Sequence, residues 1–394
     1  MGRVTRRQMA GGAFGALALT ASRSFGDGDS EAQWVTVGMS TALTGPAGAL
    51  GTGVMMGVSA YFRVANLAGG VHGRALRLVT LDDAYEPGRC ASNVRSLIDE
   101  SHVFAIVGNV GTPTAAVTVP IVNEKKVPFF GAFTGAGLLR KSPPDRYVVN
   151  YRASYEQETA EMVRGIVQDL GIQPAAIAFF TQDDGYGDSG IAGAAKALRA
   201  IGFDRAELLP HGRYPRNTSN IEGGLAKVLG ARVWPRAVIM VGTYAPCAKF
   251  IRLAKRYGLD AVFANVSFVG SDALSSELGR DGDGVVVTQV VPHYGSDLPL
   301  VREYRAAVAD VSFASLEGFI VGKAFVEALR QAGPGASPER FLETLESGQP
   351  LDLGLGSTCV LSPTMHQLSD RVWPTYIRGG RFFPMTSWRQ ARQA

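Results

Sequence analysis

From residue 34 onward the chain alternates short apolar segments with longer amphipathic ones. Apolar, β-branched runs predict strands, and the 3.6-residue periodicity between them predicts helices. The first series predicts strands at 34–39, 75–81, 104–108 and 127–133, and helices at 54–68, 87–100 and 113–125. The second predicts helices at 156–170, 189–201, 221–229 and 248–257, and strands at 175–181, 206–209, 237–241 and 261–267. This βαβα alternation predicts an α/β protein with two lobes, each built on a parallel sheet.

The size and charge of the chain agree with two globular domains and disfavour a nucleic-acid partner. The chain has 394 residues, of which 46% are hydrophobic and 19% charged. Its net charge is +4, but four arginines and no acid lie in residues 1–26, so the rest carries 4 − 4 = 0. A nucleic-acid-binding protein would keep a basic face, and we expect none here.

Residues 1–26 have the pattern of an export signal. Thr5-Arg6-Arg7-Gln8-Met9 precedes a short, Gly-rich apolar run at 10–21, which is typical of a signal peptide. The arginine pair resembles a twin-arginine signal, and the run is too short to span a bilayer. No cysteine lies near the expected cleavage region at 21–26, so we expect a soluble periplasmic protein without a lipid anchor.

Ligands of parallel α/β sheets bind beyond the carboxyl ends of the strands. The residues at those ends are hydroxyl, aromatic, amide and acidic: 41–45, Asp83, 109–114, Phe133, Thr134, 184–186, Thr243, Tyr244 and Ser267. This set suits ligand binding and contains no pair of nucleophile and base. The sequence therefore predicts a binding protein with no catalytic residues.

Thr112-Pro113 is the clearest single binding signal. Thr is a good helix N-cap, and Pro is favoured in the first helical turn. A helix start after a parallel strand presents free N–H groups that can hold a carboxylate without Lys or Arg. A helix cap without any ligand is the alternative interpretation.

The other motifs in the sequence lack the neighbouring residues that their chemistry would need. Residues 185–190 match GxGxxG, but the surrounding acids would repel a pyrophosphate, and no cofactor is expected. The Gly-Asp-Ser-Gly at 187–190 lacks a positioned His. Asp82 and Asp83 point to opposite sides of a strand, so one metal ion would rarely bind both. The three cysteines are far apart and fit neither a zinc site nor a disulfide framework: Cys90, Cys247 and Cys359.

Six segments in order resemble the leucine/isoleucine/valine-binding protein family: residues 40–46 (STALTGP), 66–71 (NLAGGV), 81–83 (LDD), 186–187 (YG), 269–271 (VGS) and 316–319 (LEGF). The resemblance implies a type I periplasmic binding protein, with two Rossmann-like lobes joined by a three-strand hinge. The implied crossings lie near Asn150, Gln289 and Gly356. Lobe one is then 34–150 plus 290–356, and lobe two is 151–289 plus 357–394.

The resemblance also implies roles for individual residues. Thr112 matches the hydroxyl that receives a ligand carboxylate, and Ser267 replaces the acid that holds a ligand ammonium. An α-amino acid ligand is therefore in doubt unless Asp184 substitutes for that acid. Leu50 stands where the family has an aromatic wall. The predicted ligand-binding residues are Leu50, Thr112, Thr114, Phe133, Thr134, Gly135, Asp184, Tyr186, Thr243, Tyr244, Ser267 and Gln289.

The leading functional hypothesis is an extracytoplasmic solute-binding protein of an ABC importer. It would act as a monomer, bind a small polar ligand such as an amino acid or a related acid or amide, and deliver it to permease and ATPase subunits. Two alternatives stay open. One is a ligand sensor for a membrane receptor. The other is an exported hydrolase that uses the acids at 183–184, which would need a nucleophile–base pair or a metal.

Overall fold

A computed structural model describes residues 34–393, so the predicted signal peptide lies outside the described residues. The first lobe contains a parallel sheet with strand order β2-β1-β3-β4-β5. Its strands are β1 (Trp34–Thr41), β2 (Ala75–Asp82), β3 (Ala105–Val107), β4 (Phe129–Phe130) and β5 (Val148–Val149). Strands β1, β3, β4 and β5 are largely buried, as expected for a parallel sheet with helices on both faces, whereas the edge strand β2 is mostly half-buried.

The second lobe repeats this strand order. Its first five strands are arranged β7-β6-β8-β9-β10 and are parallel. They are β6 (Ile177–Gln182), β7 (His211–Tyr214), β8 (Ala237–Val241), β9 (Val262–Asn265) and β10 (Val286–Gln289). The repeated order means that both lobes place their βα loops at the carboxyl ends of similar sheets, where α/β proteins bind ligands.

The last strands are antiparallel. A two-stranded sheet contains β11 (Leu351–Asp352) and β12 (Thr358–Cys359). The hairpin of β13 (Trp373–Arg378) and β14 (Arg381–Pro384) adds to the edge of the second sheet beside β10. The second sheet is therefore mixed, whereas the sequence predicts a parallel one.

Helices cover both sheets. In the first lobe they are α1 (Gly48–Leu67), α2 (Pro87–Asp99) and α3 (Thr112–Lys125). In the second lobe they are α4 (Tyr155–Arg164), α5 (Gly185–Ala200), α6 (Glu222–Leu229), α7 (Tyr244–Arg256) and α8 (Ser271–Leu278). The chain then continues with α9 (Pro299–Ala307), α10 (Phe313–Ala332) and α11 (Pro338–Glu346), of which α10 packs lengthwise on α1. None of the helices within residues 34–393 has the length and apolarity needed to cross a bilayer.

Two chain segments run side by side where the lobes meet. Asn150 N donates to His366 O at 2.8 Å, and Leu368 N donates back to Asn150 O at 2.9 Å. His366 Nδ1 also lies 2.8 Å from Val148 O of the first sheet. These contacts favour a third crossing after His366, later than the Gly356 implied by the resemblance, and the lobe boundaries stay a prediction.

One predicted strand is wrong. Residues 206–209 are expected to be a strand, but Ala206–Leu208 form a 3-10 turn and the strand is His211–Tyr214. This strand pairs only with β6 and so lies at the sheet edge. An edge strand can be polar, and His-Gly-Arg-Tyr lacks the apolar run that identifies a central strand.

Candidate functional site

Two threonine hydroxyls face each other at the start of α3. Thr112 Oγ1 lies 2.7 Å from Thr134 Oγ1, and both residues are buried. Thr112 is expected to be the N-cap, but the cap position is taken by Gly111, and the Thr112 hydroxyl makes no capping bond. Apart from its contact with Thr134, this hydroxyl makes no hydrogen bond among the described residues, and it keeps acceptor capacity. The start of α5 in the second lobe approaches it, since a Cβ at Gly185 would lie 3.9 Å from Thr112 Cγ2.

Aromatic rings from both lobes surround this hydroxyl pair. Thr134 Oγ1 donates to Tyr155 Oη at 3.2 Å, and the Tyr155 ring lies 5.2 Å from that of Tyr186. The Tyr186 ring is 4.6 Å from Phe268, which is 5.6 Å from Phe133 of the first lobe. Burial raises the pKa of Tyr155 to about 12, so its hydroxyl stays protonated at neutral pH. The rings form an apolar wall that contains a few polar groups, as is usual in small-molecule sites.

A buried arginine completes the ring of side chains. The Arg152 guanidinium lies 4.5 Å from the centre of the Phe133 ring. Arg152 Nε is 3.2 Å from Glu317 Oε1 on α10, and Arg152 Nη2 donates to Ser267 Oγ in the second lobe. Arg152 is fully buried. It therefore contacts groups of both lobes from the segment that joins them.

The carboxylate nearest Ser267 is that of Glu158. Its Oε2 accepts from Ser267 N at 2.7 Å, and its Oε1 accepts from Ser267 Oγ at 3.0 Å. Thr288 Oγ1 donates to the same Oε2 at 2.7 Å. Burial raises the pKa of Glu158, and the charge of Arg152 opposes that rise. An acid is thus present behind Ser267, but its oxygens already accept three protein hydrogen bonds.

The lobes also touch at the rim of the cleft. Gln182 Nε2 of the second lobe donates to Tyr85 Oη of the first lobe at 3.2 Å. Arg216 Nη2 lies 3.0 Å from Glu86 Oε2, and Asn217 Nδ2 donates to Glu86 Oε1 at 2.6 Å. The structure therefore has the two lobes closed on each other around the hydroxyl pair and Arg152.

Several other predicted residues lie beside the same cleft. A Cβ at Gly270 would lie 2.8 Å from Leu50 Cδ2 and 3.1 Å from Tyr244 Cδ1, so Leu50 and Tyr244 meet across the lobes. A Cβ at Gly135 would lie 2.6 Å from Tyr155 Cδ1, so any side chain there would displace that ring. Thr243 Oγ1 is 3.3 Å from Tyr214 Oη, which also accepts from Thr243 N.

Three predicted residues are occupied by other contacts. Thr114 Oγ1 donates to Val110 O at 2.5 Å within its own turn. Gln289 Nε2 donates to Ser271 Oγ at 2.9 Å and Thr375 Oγ1 at 3.2 Å. Asp184 caps α5 by accepting from Tyr186 N at 3.0 Å, and it also accepts from Gln182 and lies 3.6 Å from Arg216. These contacts argue against Asp184 as the partner of a ligand ammonium.

The periplasmic binding protein family matches residues 35–381. The chain belongs to this family. A crystal structure of a possible leucine/isoleucine/valine-binding protein from Rhodopirellula baltica is 48% identical, with a TM-score of 0.88, and the match covers 91% of this chain and 98% of that one.

Two further relatives are more distant from this periplasmic binding protein. An amino acid binding protein of Pseudomonas aeruginosa is 25% identical over 84% of this chain and 88% of its own length. A branched-chain amino acid ABC transporter protein of Thermus thermophilus with bound valine has a TM-score of 0.79 at 19% identity, over 92% of this chain and 99% of that chain. The predicted α/β fold and family resemblance are confirmed. The family and these relatives are solute-binding proteins rather than enzymes.

The charged part of the cleft was not predicted. The sequence favours a carboxylate site without Lys or Arg, whereas the structure places Arg152 beside Phe133 and Ser267. Arg152 lies two residues after the crossing predicted near Asn150, so a survey of crossing residues would have found it. Glu317 lies within the LEGF segment that carries the resemblance. Within residues 34–393, no group of three or more His, Cys, Asp or Glu side chains is arranged to hold a metal ion.

Proposed function

We propose that this chain is the solute-binding component of an ABC importer and binds a small carboxylate-bearing molecule between its lobes. The Thr112–Thr134 hydroxyl pair carries the proposal. Both hydroxyls are buried, and Thr112 is the first residue of a 14-residue helix, where backbone N–H groups and the helix dipole favour an anion. The similarity to an amino acid binding protein and to a possible leucine/isoleucine/valine-binding protein supports a ligand of this size and charge.

The proposal includes a location and partners. Export through the twin-arginine signal at residues 1–26 would bring the protein to the periplasm as a monomer. The closed lobes would then present the loaded protein to permease and ATPase subunits. The two-lobed fold, with the Thr112–Thr134 pair enclosed by residues of both lobes, supports this role because closing the cleft on a ligand would distinguish the loaded from the empty protein.

A thermal-shift screen of small acids, amino acids and amides, followed by calorimetry, tests ligand binding directly. A ligand at one hundred times its Kd stabilises the folded state by about 2.7 kcal/mol. Thr112→Val should then weaken binding by roughly 1.5–3 kcal/mol, or about 10- to 150-fold in Kd, because it removes a hydrogen bond to a charged group.

Thr118→Val is the matched control for Thr112→Val. Thr118 is buried in the same helix, and its hydroxyl donates to Thr114 O at 2.9 Å. This variant removes the same hydroxyl type without touching the hydroxyl pair, so the Kd should stay within about twofold. Equal affinities of wild type and Thr112→Val would show that the carboxylate site is placed wrongly.

A further inference from the structure

The guanidinium of Arg152 has donors that no described residue uses. Its Nε faces Glu317 as an ion pair, and its Nη2 donates to Ser267 Oγ. Its Nη1 is buried and has no hydrogen-bond partner among the described residues. Buried polar groups of folded proteins are nearly always paired, and a buried charged donor is costly to leave unpaired. The unpaired nitrogen belongs to a side chain that lies against Phe133 in the cleft.

The two carboxylates nearest Arg152 already interact with protein groups. Glu158 already accepts from Ser267 N, Ser267 Oγ and Thr288 Oγ1. Glu317 lies against Arg152 itself. A second, half-buried cation, Arg140, donates to Arg152 O at 2.8 Å and to Ala136 O at 3.0 Å. An ammonium entering beside Ser267 would therefore meet a guanidinium of like charge.

We propose that Arg152 forms a cationic subsite in the cleft, where Nη1 donates to a second acceptor oxygen of the ligand. The proposal rests on the proposed function and narrows its ligand class. The first oxygen-bearing group is a carboxylate at the Thr112–Thr134 pair. The second polar group is an acceptor such as an oxo or carboxylate oxygen, and not an ammonium. Oxo acids and dicarboxylic acids fit this description, whereas α-amino acids do not.

A purely structural role for Arg152 would have a different form. An arginine that only joins the lobes needs a partner for each buried donor. Arg140 largely has them, because it donates to backbone carbonyl oxygens and to Gln367. In Arg152, by contrast, Nε and Nη2 face protein groups, whereas Nη1 has no partner among the described residues. A guanidinium and an oxyanion form strong, short hydrogen bonds when water is excluded, and this gives both affinity and selectivity.

The experiment compares ligands that share one carbon skeleton. Calorimetry is run with leucine, isocaproate and ketoisocaproate, with phenylalanine, phenylpropionate and phenylpyruvate, and with glutamate and its oxo analogue. Wild type should bind the oxo acid most tightly and the amino acid most weakly in the series whose skeleton fits.

Removing only Arg152 would leave buried Glu317 without its partner, so Arg152→Gln is made together with Glu317→Gln. The oxo acid should lose roughly tenfold or more in affinity, and its preference over the unsubstituted acid should vanish.

The control removes a comparable ion pair from the same helix. Lys323 of α10 lies 2.7 Å from Glu303 on α9. Lys323→Met with Glu303→Gln should leave every affinity within about twofold. An Arg152→Gln/Glu317→Gln protein that folds and keeps the oxo-acid preference would overturn the subsite, as would tighter binding of the amino acid by wild type. In either case the proposed function would stand. If wild type binds no member of the panel, the proposed function itself fails, and the subsite fails with it.

Discussion

At the residue scale, the interior of this protein contains four charges where the lobes meet. Arg140 and Arg152 face Glu158 and Glu317, so the group is formally neutral. Removing one member would leave an uncompensated buried charge, which typically costs 3–5 kcal/mol, whereas removing a matched pair costs far less. The arrangement therefore constrains single substitutions strongly, even though the net contribution of the group to stability is small.

Glu317 gives this group a pH dependence. Burial, opposed by the charges of Arg152 and Arg140 and aided by that of Glu158, raises the pKa of Glu317 to about 7. Because the folded-state pKa lies above the usual value near 4.5, the folded protein holds a proton that the unfolded chain has lost between about pH 4.5 and 7. The stability from this group is complete below that window and is lost as the pH rises through it. Glu317→Gln should flatten the decline, as measured by urea unfolding of the ligand-free protein at constant ionic strength.

Two controls define that measurement. Glu343→Gln removes an exposed carboxylate from α11 and should leave the wild-type pH profile unchanged. The pKa of Glu158 is also raised, so the unfolding free energy of Glu317→Gln should still fall somewhat as the pH rises. A Glu317→Gln profile parallel to wild type across the whole window would contradict the assignment.

At the element scale, the turn between β2 and α2 reaches from the first lobe to the second. Ala84 and Tyr85 have φ values of 49° and 62°, a left-handed conformation that is unfavourable for a bulky side chain. Their strain is offset by contacts with the other lobe. The Tyr85 ring is fully buried and accepts a hydrogen bond from Gln182, and Ala84 O accepts from Asn217 at 3.2 Å. The turn is therefore shaped for the closed arrangement of the lobes.

Glu86 at the end of this turn should favour closure. It pairs with Arg216 at 3.0 Å and accepts from Asn217 at 2.6 Å, and the pair is partly exposed. Glu86→Gln should cost the closed state about 0.2–1 kcal/mol, the usual value of such a pair, and so weaken ligand binding by up to roughly fivefold. Small-angle scattering at subsaturating ligand should show a larger mean radius of gyration than wild type.

Glu100 provides the comparison for Glu86. It is the exposed residue at the other end of α2, so Glu100→Gln changes the net charge equally without touching the second lobe. Its affinity and scattering curve should match wild type. Identical behaviour of Glu86→Gln and Glu100→Gln would mean that the rim contact does not bias closure.

Elements with a regular apolar pattern could be predicted from the sequence, and those shaped by distant contacts could not. Strands such as β8 were predicted residue for residue because they are uniformly apolar. The helix α1 begins at Gly48, six residues before its predicted start, because the glycines in its first turns are typical of a loop. Gly57 shows what a glycine permits in this helix, since a Cβ there would lie 2.0 Å from Ser315 O of α10. Close packing of α1 on α10 thus outweighs the low helix propensity of glycine.

The candidate site follows the same division. Several residues beside the cleft lie just after strands: Thr112, Phe133, Thr134 and Tyr186. Because parallel strands end at one edge of a sheet, their position there could be predicted from the sequence. Arg152 and Glu158 follow the last strand of the first lobe and meet Ser267, which lies 115 and 109 residues further along the chain. Sequence patterns describe single elements, whereas these contacts depend on how α4 and the segment before it pack against the end of β9.

At the scale of the whole molecule, the two lobes are repeats of one design that share a cleft. Each has the parallel strand order 2-1-3-4-5 when its own strands are numbered along the chain. The second lobe differs by an antiparallel hairpin, β13 and β14, that follows the last crossing. Both lobes direct their βα loops toward the same gap. Under the proposed function, a ligand in that gap would contact both lobes, and closure around it would be the signal that a membrane partner detects.

A twin-arginine signal at residues 1–26 is the proposed route of export. Arg6 and Arg7 form the pair in the twin-arginine pattern, followed by a weakly apolar, Gly-rich run. Replacing both by Lys keeps the positive charge that a general signal peptide needs but removes the pair itself. Precursor should accumulate in the cytoplasm, with a periplasmic fraction reduced roughly tenfold or more, as measured by fractionation and immunoblotting.

Replacing Arg3 and Arg23 by Lys changes the same number of arginines outside the pair and should leave export unchanged. Normal periplasmic amounts of the Arg6→Lys/Arg7→Lys protein would mean that a signal without a twin-arginine requirement exports the chain.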